Sequence, residues 1–177
     1  MKRRQFIKTG IVGGLTIGLV GAGTAWLNTP SNHAPLTIDA AFAKIDELSK
    51  YTILSSGKWK PYQIFTHCAQ SIEFSLTGFP EHKSEFFKRT AGQLAFSAFL
   101  SKGKMTHGLS EPIPGAPGIE SESNIQTALN RFKKSLIEFQ QFKGKLAPHF
   151  AYGELSKQEY ERAHVMHFYN HLQEITA

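Results

Sequence analysis

The chain has 177 residues, of which 41% are hydrophobic, and this length suits one domain with its own core. The formal net charge is +6, but four of the basic residues, Lys2, Arg3, Arg4 and Lys8, precede the predicted domain. Without them the chain has 20 − 4 = 16 basic and 14 acidic residues, a net charge of +2. This near balance argues against nucleic-acid binding. The single cysteine, Cys68, excludes an intrachain disulfide.

The amino terminus indicates export. Its basic start is followed by an uncharged, glycine-rich stretch from Thr9 to about Leu27. Arg3 and Arg4, followed by Gln-Phe-Ile-Lys, resemble the twin-arginine signal of folded proteins that cross the bacterial inner membrane, so the twin-arginine export machinery is an expected partner. The same stretch is also long enough for a plain membrane anchor. Residues 1–29 are therefore predicted to be a signal peptide or an anchor, and both alternatives place the domain in the periplasm or elsewhere outside the cytoplasm, with cleavage left open.

Residues 30–36 form a polar, proline-containing linker, and the domain is predicted to span residues 37–177. Thr37 suits the N-cap of a first helix that runs to about Leu54. A second helix is predicted from Trp59 to Gly78, because proline is tolerated in its first turn. A third is predicted over 82–100, with the apolar residues Phe86, Phe87, Leu94, Phe96 and Phe99.

A long connection at 102–121 contains three prolines and is expected to be functional or mobile, because bundle helices are usually joined by short loops. Ser123 or Asn124 caps a fourth helix with one long apolar stripe. Ser156 with Glu159 forms a capping-box signature for the final helix, which is predicted to run close to the chain end. No segment alternates apolar and polar residues for long enough to be a strand. The sequence predicts an all-α fold, a four-helix bundle with one additional helix.

The final helix carries three histidines, His164, His167 and His171, within one narrow stripe that overlaps its apolar face. Burying that face takes the imidazoles toward the core, where they need partners. His167 and His171, at i and i+4, can chelate one ion, and His67 on the second helix can supply a third nitrogen. Three neutral imidazoles with an open fourth position are typical of a catalytic zinc site.

Other chemistry is less well supported. The ordinary alternative to a metal site is that His167 and His171 lie on the surface or are hydrogen-bonded in the core. Four further histidines are interpreted as solvated residues without a role: His33, His82, His107 and His149. A di-iron carboxylate bundle would need two Glu-x-x-His units, and the sequence has one, at 161–164. Cys68 falls in line with apolar residues of its helix, which indicates a buried core residue in place of a nucleophile.

Several motifs together resemble the DinB/YfiT-like superfamily of metal-binding helical bundles, in an exported branch of unknown function, over roughly residues 38–175. They are Trp59, the segment around His67, Lys102-Gly-Lys-Met with Gly108, residues 149–156, and above all His164-Val-Met-His167-Phe-Tyr-Asn-His171-Leu. The resemblance implies that His67, His167 and His171 bind a divalent ion, either zinc, nickel or iron. His164 and Glu174 are then expected beside the ligands. Asn170, Gln173 and Glu174 depart from the family pattern, which puts the identity of the metal in question.

Two functions follow. The first is a metal-dependent hydrolase or transferase acting on an unknown small molecule; some relatives are thiol-dependent transferases, but low-molecular-weight thiols are chiefly cytoplasmic. The second is a non-catalytic envelope protein that binds a ligand or has a structural role. The membrane is expected to be contacted only through the N-terminal segment, and the oligomeric state is left open between a monomer and a homodimer.

Overall fold

The computed structural model describes residues 34–120 and 123–177, so the proposed signal or anchor and most of the linker lie outside the described residues. The elements in chain order are α1 (Ile38–Leu48), β1 (Leu54–Ser55), α2 (Pro61–Thr77), α3 (Glu85–Phe87), a π-helical turn (Lys88–Gly92), α4 (Gln93–Lys102), α5 (Ile125–Gln141), α6 (Lys157–His171), a 3₁₀ turn (Leu172–Glu174) and β2 (Ile175–Thr176). The all-α prediction is confirmed. No helix in this described part has the length and apolar character needed to span a membrane.

The predicted caps account for where three of the long helices begin. The Thr37 side chain accepts a hydrogen bond from the Ala40 amide at the start of α1. Asn124 does the same for Gln126 at the start of α5, with a distance of 2.7 Å. At the start of α6, the Ser156 amide donates to the Glu159 carboxylate over 2.8 Å. These side chains satisfy amides that a helix leaves without an intrahelical partner.

The long helices α1, α2, α5 and α6 contact one another around a common core: α2 packs on α5 and α6, and α1 packs on the same two helices. Aromatic rings fill the centre, where Phe65 of α2 lies 6.2 Å from both Phe132 of α5 and Phe168 of α6, measured between ring centroids. All three side chains are at most 1% exposed. This packing brings α2 and α6, which carry the candidate ligands, side by side.

The end of the first helix was predicted incorrectly, and the structure adds one short strand pair that the sequence did not indicate. The first helix ends at Leu48, not near Leu54, because Leu54 and Ser55 extend to form an antiparallel pair with Ile175 and Thr176. The pair ties the carboxyl end of the chain to the segment that precedes α2. Each strand has only two residues, too few for the alternating pattern by which a strand is recognised in a sequence.

The third predicted helix is also different. It begins at Glu85 and ends at Lys102, and a π-helical turn interrupts it. A Cβ atom at Gly92 in this turn would lie 2.0 Å from the Ala151 carbonyl oxygen, so glycine permits the close approach of the loop before α6. Three of the apolar residues named for this helix are solvent-exposed: Phe86 (80%), Leu94 (74%) and Phe87 (39%). Their apolar character alone did not show which face of the helix is buried.

Candidate metal centre

The three predicted ligands lie together where α2 packs against α6. His67 comes from the middle of α2, and His167 and His171 occupy successive turns of α6. His67 is 3% exposed and His171 is 0% exposed. In the described part of the chain, these three form the one group of histidine, cysteine or carboxylate side chains whose ligand atoms all lie within 4.8 Å of one another.

Their Nε2 atoms converge. The Nε2 of His167 lies 3.1 Å from that of His67 and 3.2 Å from that of His171. Zinc–nitrogen bonds of about 2.0–2.1 Å at a tetrahedral angle place two ligand nitrogens about 3.3 Å apart. The nitrogen spacing therefore fits a shared divalent ion.

Hydrogen bonds among the three imidazoles account for this arrangement less well than a shared ion does. A neutral imidazole carries one N–H and one lone pair, so the Nε2 of His167 can make one well-aligned hydrogen bond in its ring plane, yet two nitrogens lie at hydrogen-bond distance. The Nδ1 atoms of His67 and His171 are buried without a hydrogen-bond partner, and this holds whether or not an ion occupies the Nε2 side. A cation would accept all three Nε2 lone pairs at once.

The surroundings keep the imidazoles neutral. Burial, with a smaller contribution from His107, lowers the pKa of His67 to about 3. Burial likewise lowers the pKa of His171 to about 2 and that of His167 well below its usual value, and the neighbouring imidazoles add to both shifts. Neutral imidazole is the form that binds a metal. The half-buried Trp59 covers the cluster: its ring stacks against His171 at 6.0 Å and meets the edge of His67 at 4.9 Å.

A pocket of about 210 Å³ opens beside the cluster, and His67 and His167 are among its lining residues. The long 102–121 connection contributes much of the lining and is anchored by two buried side chains, Met105 (4% exposed) and Ile113 (5% exposed). The Pro117 carbonyl oxygen also accepts a hydrogen bond from Gln70 of α2 over 3.2 Å. Residues of the loop therefore form part of the pocket wall.

His107, predicted to be a solvated loop residue, lies beside the cluster instead. Its ring centroid is 4.7 Å from that of His167 and 5.0 Å from that of His171. Burial lowers its pKa, while a hydrogen bond to the Gly108 carbonyl and the charge of Glu111 oppose the shift. The length of the loop was the one sequence signal that could have drawn attention to His107.

His149 was also predicted to be solvated, and this was wrong: it is 8% exposed and lines the same pocket. Its Nδ1 accepts hydrogen bonds from the amides of Ala151 and Tyr152, over 3.1 and 3.2 Å, so the ring proton resides on Nε2. The ring stacks on Tyr152 at 4.2 Å. His82 is exposed, as expected, and His33 lies outside the described residues.

The two expected supporting residues lie in different places. His164 is buried in the pocket lining, where its Nε2 lies 3.1 Å from the Ser75 hydroxyl oxygen. That hydroxyl donates to the Ile72 carbonyl, so His164 is the donor to Ser75. Glu174 lies against Gly57, at which a Cβ atom would be 2.2 Å from the Glu174 carboxyl carbon. Within the described residues, no hydrogen bond joins Glu174 to the three clustered imidazoles.

The rival sites are not supported. Glu161, the carboxylate of the di-iron alternative, accepts a hydrogen bond from the Ile38 amide over 3.1 Å at the start of α1. The Glu161 carboxylate therefore caps the start of α1 and is not a metal ligand in this structure. Cys68 is 2% exposed and burial raises the pKa of its thiol, which agrees with the predicted core role.

The fold and the site define an all-α protein with three clustered histidines, two of them buried, that are close enough to hold one metal ion. The chain belongs to the family described as "Protein of unknown function (DUF1569)", whose model matches residues 34–177. Comparisons with curated proteins and with solved structures gave no match.

Proposed function

We propose that the protein binds a divalent metal ion through His67, His167 and His171 and acts on a small molecule held in the adjacent pocket. The convergence of three Nε2 atoms carries the proposal: that of His167 lies 3.1 Å from that of His67 and 3.2 Å from that of His171, and their lone pairs have no other shared partner among the described residues. Zinc, nickel and iron all accept imidazole ligands. The DinB/YfiT-like resemblance of the motifs supports the same ligand set.

The reaction class that fits best is metal-dependent hydrolysis or group transfer. A divalent ion held by the neutral imidazoles of His67, His167 and His171 would supply Lewis acidity toward a carbonyl or phosphoryl oxygen. The chain's own contribution is a pocket with apolar walls and neutral imidazoles: His149 offers an Nε2–H donor, and His164, which donates through Nε2, retains a lone pair on Nδ1. Lys83 and Glu111 are charged residues in the lining and can orient a polar substrate.

We place this activity in the bacterial cell envelope, on the evidence of the Arg3–Arg4 signal pattern and the uncharged stretch after it. Fractionation of cells that produce the full chain tests the location. The protein should be found in the periplasm or on the inner membrane, and Arg3→Lys combined with Arg4→Lys should retain it in the cytoplasm. Equal export of both forms would contradict the twin-arginine route.

Metal content tests the central proposal. The untagged full chain, incubated with zinc, nickel or iron and then desalted, should retain about one ion per chain by mass spectrometry. His167→Ala should abolish stoichiometric binding, whereas His82→Ala removes an exposed imidazole and should not. A parent protein that retains no stoichiometric ion would refute the ligand assignment.

Thermal stability provides a second measurement. An ion that binds only the folded state, at a free concentration 100 times its Kd, adds about 2.7 kcal/mol of stability. For a domain of this size, the gain corresponds to a rise in Tm of roughly 5–11 °C. Identical melting with and without a chelator would count against the site.

A non-catalytic role is the second candidate, and the aromatic lining of the pocket favours it, since Phe150 and Tyr152 offer stacking surfaces for a ligand. Turnover of ester, amide and phosphoester substrates by the metal-loaded protein distinguishes the two. Binding of a small molecule without its conversion would support the second role.

A further inference from the structure

His107 lies beside the proposed centre but outside the group of three histidines whose ligand atoms lie within 4.8 Å of one another, so its ring has to move toward the ion to act as a fourth ligand. Its ring centroid lies 4.7 Å from that of His167 and 5.0 Å from that of His171. The three clustered histidines are separated from one another by similar distances, 4.8, 5.1 and 4.9 Å. His107 is farther from His67, at 6.5 Å, so it approaches the cluster from the α6 side.

The hydrogen bonding of His107 determines which of its nitrogens is available. Nδ1 lies 2.8 Å from the Gly108 carbonyl oxygen, which can only accept, so Nδ1 carries the proton. Nε2 therefore has a free lone pair. This atom is buried and has no hydrogen-bond partner, a state that costs about 1–3 kcal/mol unless something else accepts the lone pair.

The last helix holds the His107 backbone in place. Asn170 is 3% exposed, and one of the two orientations of its side-chain amide satisfies the surrounding donors and acceptors. In that orientation its nitrogen donates to the Met105 carbonyl over 3.1 Å and its oxygen accepts from the His107 backbone amide over 3.3 Å. The buried Met105 side chain anchors the same segment. Asn170 immediately precedes His171, so the helix that presents two of the clustered histidines also holds the segment that carries His107.

We propose that His107 supplies a fourth nitrogen ligand to the metal ion, delivered by the 102–121 loop and positioned by Asn170. The inference rests on the proposed metal site and deepens it. Because His107 also lines the pocket, its imidazole and a small molecule in the pocket compete for the same side of the ion. The loop thus controls access to the metal.

Cobalt binding to the full chain tests this role. Co²⁺ reports its ligands through its visible absorption, and competition with a chromogenic chelator measures affinity. We expect His107→Ala to weaken Co²⁺ affinity by at least about 10-fold, since losing a group that merely hydrogen-bonds to a ligand already costs about 10- to 100-fold, and to change the absorption bands. Added imidazole should restore the parental bands, because it replaces the missing ring. His107→Gln, which keeps a polar side chain of similar size, should show the same loss.

His82→Ala is the matched control, since it removes an exposed histidine and should bind Co²⁺ as the parent does. If both His107 variants bind with parental affinity and unchanged bands, His107 is not a ligand, although the three-histidine site stands. If the parent itself binds no Co²⁺, zinc, nickel or iron, the proposed function and this inference both fail. Circular dichroism of each variant verifies that it has folded.

Discussion

Acidifying the metal-free protein from about pH 8 to about pH 5 should destabilise its fold, because buried histidines must remain neutral. His164 is 5% exposed, and burial lowers its pKa to about 3, whereas a histidine in an unfolded chain titrates near 6.5. Between these two values the unfolded chain binds a proton that the folded protein excludes. The free energy of unfolding is therefore greatest above pH 6.5 and decreases as the pH falls toward the folded-state pKa.

The size of the effect follows from the same two pKa values. One proton bound only by the unfolded state changes the free energy of unfolding by about 1.4 kcal/mol per pH unit. From about pH 8 down to about pH 5, His164 alone should cost about 2 kcal/mol. His67, whose pKa burial also lowers to about 3, should add a similar amount. Domains have total stabilities of about 5–15 kcal/mol, so the loss should be readily measurable.

Urea unfolding of the chelator-treated full chain, followed by circular dichroism at a series of pH values, measures this dependence. His164→Gln should reduce the loss over the acid range by about 2 kcal/mol, because it removes one such group. His82→Gln, at an exposed position, should leave the dependence unchanged. Full parental pH dependence in His164→Gln, or a parent stability that does not change over this range, would contradict the assignment of His164 as a buried neutral imidazole.

Three further predictions concern the scaffold. Phe65→Ala, at a side chain with 0% exposure, should lower the free energy of unfolding by about 3–5 kcal/mol. Phe86→Ala, at a side chain with 80% exposure, should change it by less than about 0.5 kcal/mol. Equal effects of the two variants in urea unfolding would contradict the assigned core. Gly92→Ala should destabilise the protein, because its Cβ would meet the Ala151 carbonyl oxygen at 2.0 Å, and an unchanged Tm would show that the loop approaches less closely. Ser156→Ala should cost about 1 kcal/mol in urea unfolding through loss of the α6 N-cap, and no loss would mean that this cap is unimportant.

Patterns local to one helix were predicted well. The caps at Thr37, Asn124 and Ser156 were recognised because a side chain three or fewer residues from a free amide can be identified in the sequence itself. The i, i+4 spacing of His167 and His171 likewise required only the helical repeat. By contrast, the exposure of Phe86 and Leu94 was missed, because hydrophobicity without a clear period does not specify a buried face.

The sequence by itself determined an all-α chain and one face of a helix with two histidines suited to a shared ion. Tertiary structure decided which other side chains pack against that face of the helix. The packing of α2 on α6 brings His67 to within 3.1 Å of His167, and the long loop brings His107 into contact with the cluster from 60 positions earlier in the chain. Such contacts depend on how helices pack and where loops are anchored, so a periodic pattern within one segment cannot specify them.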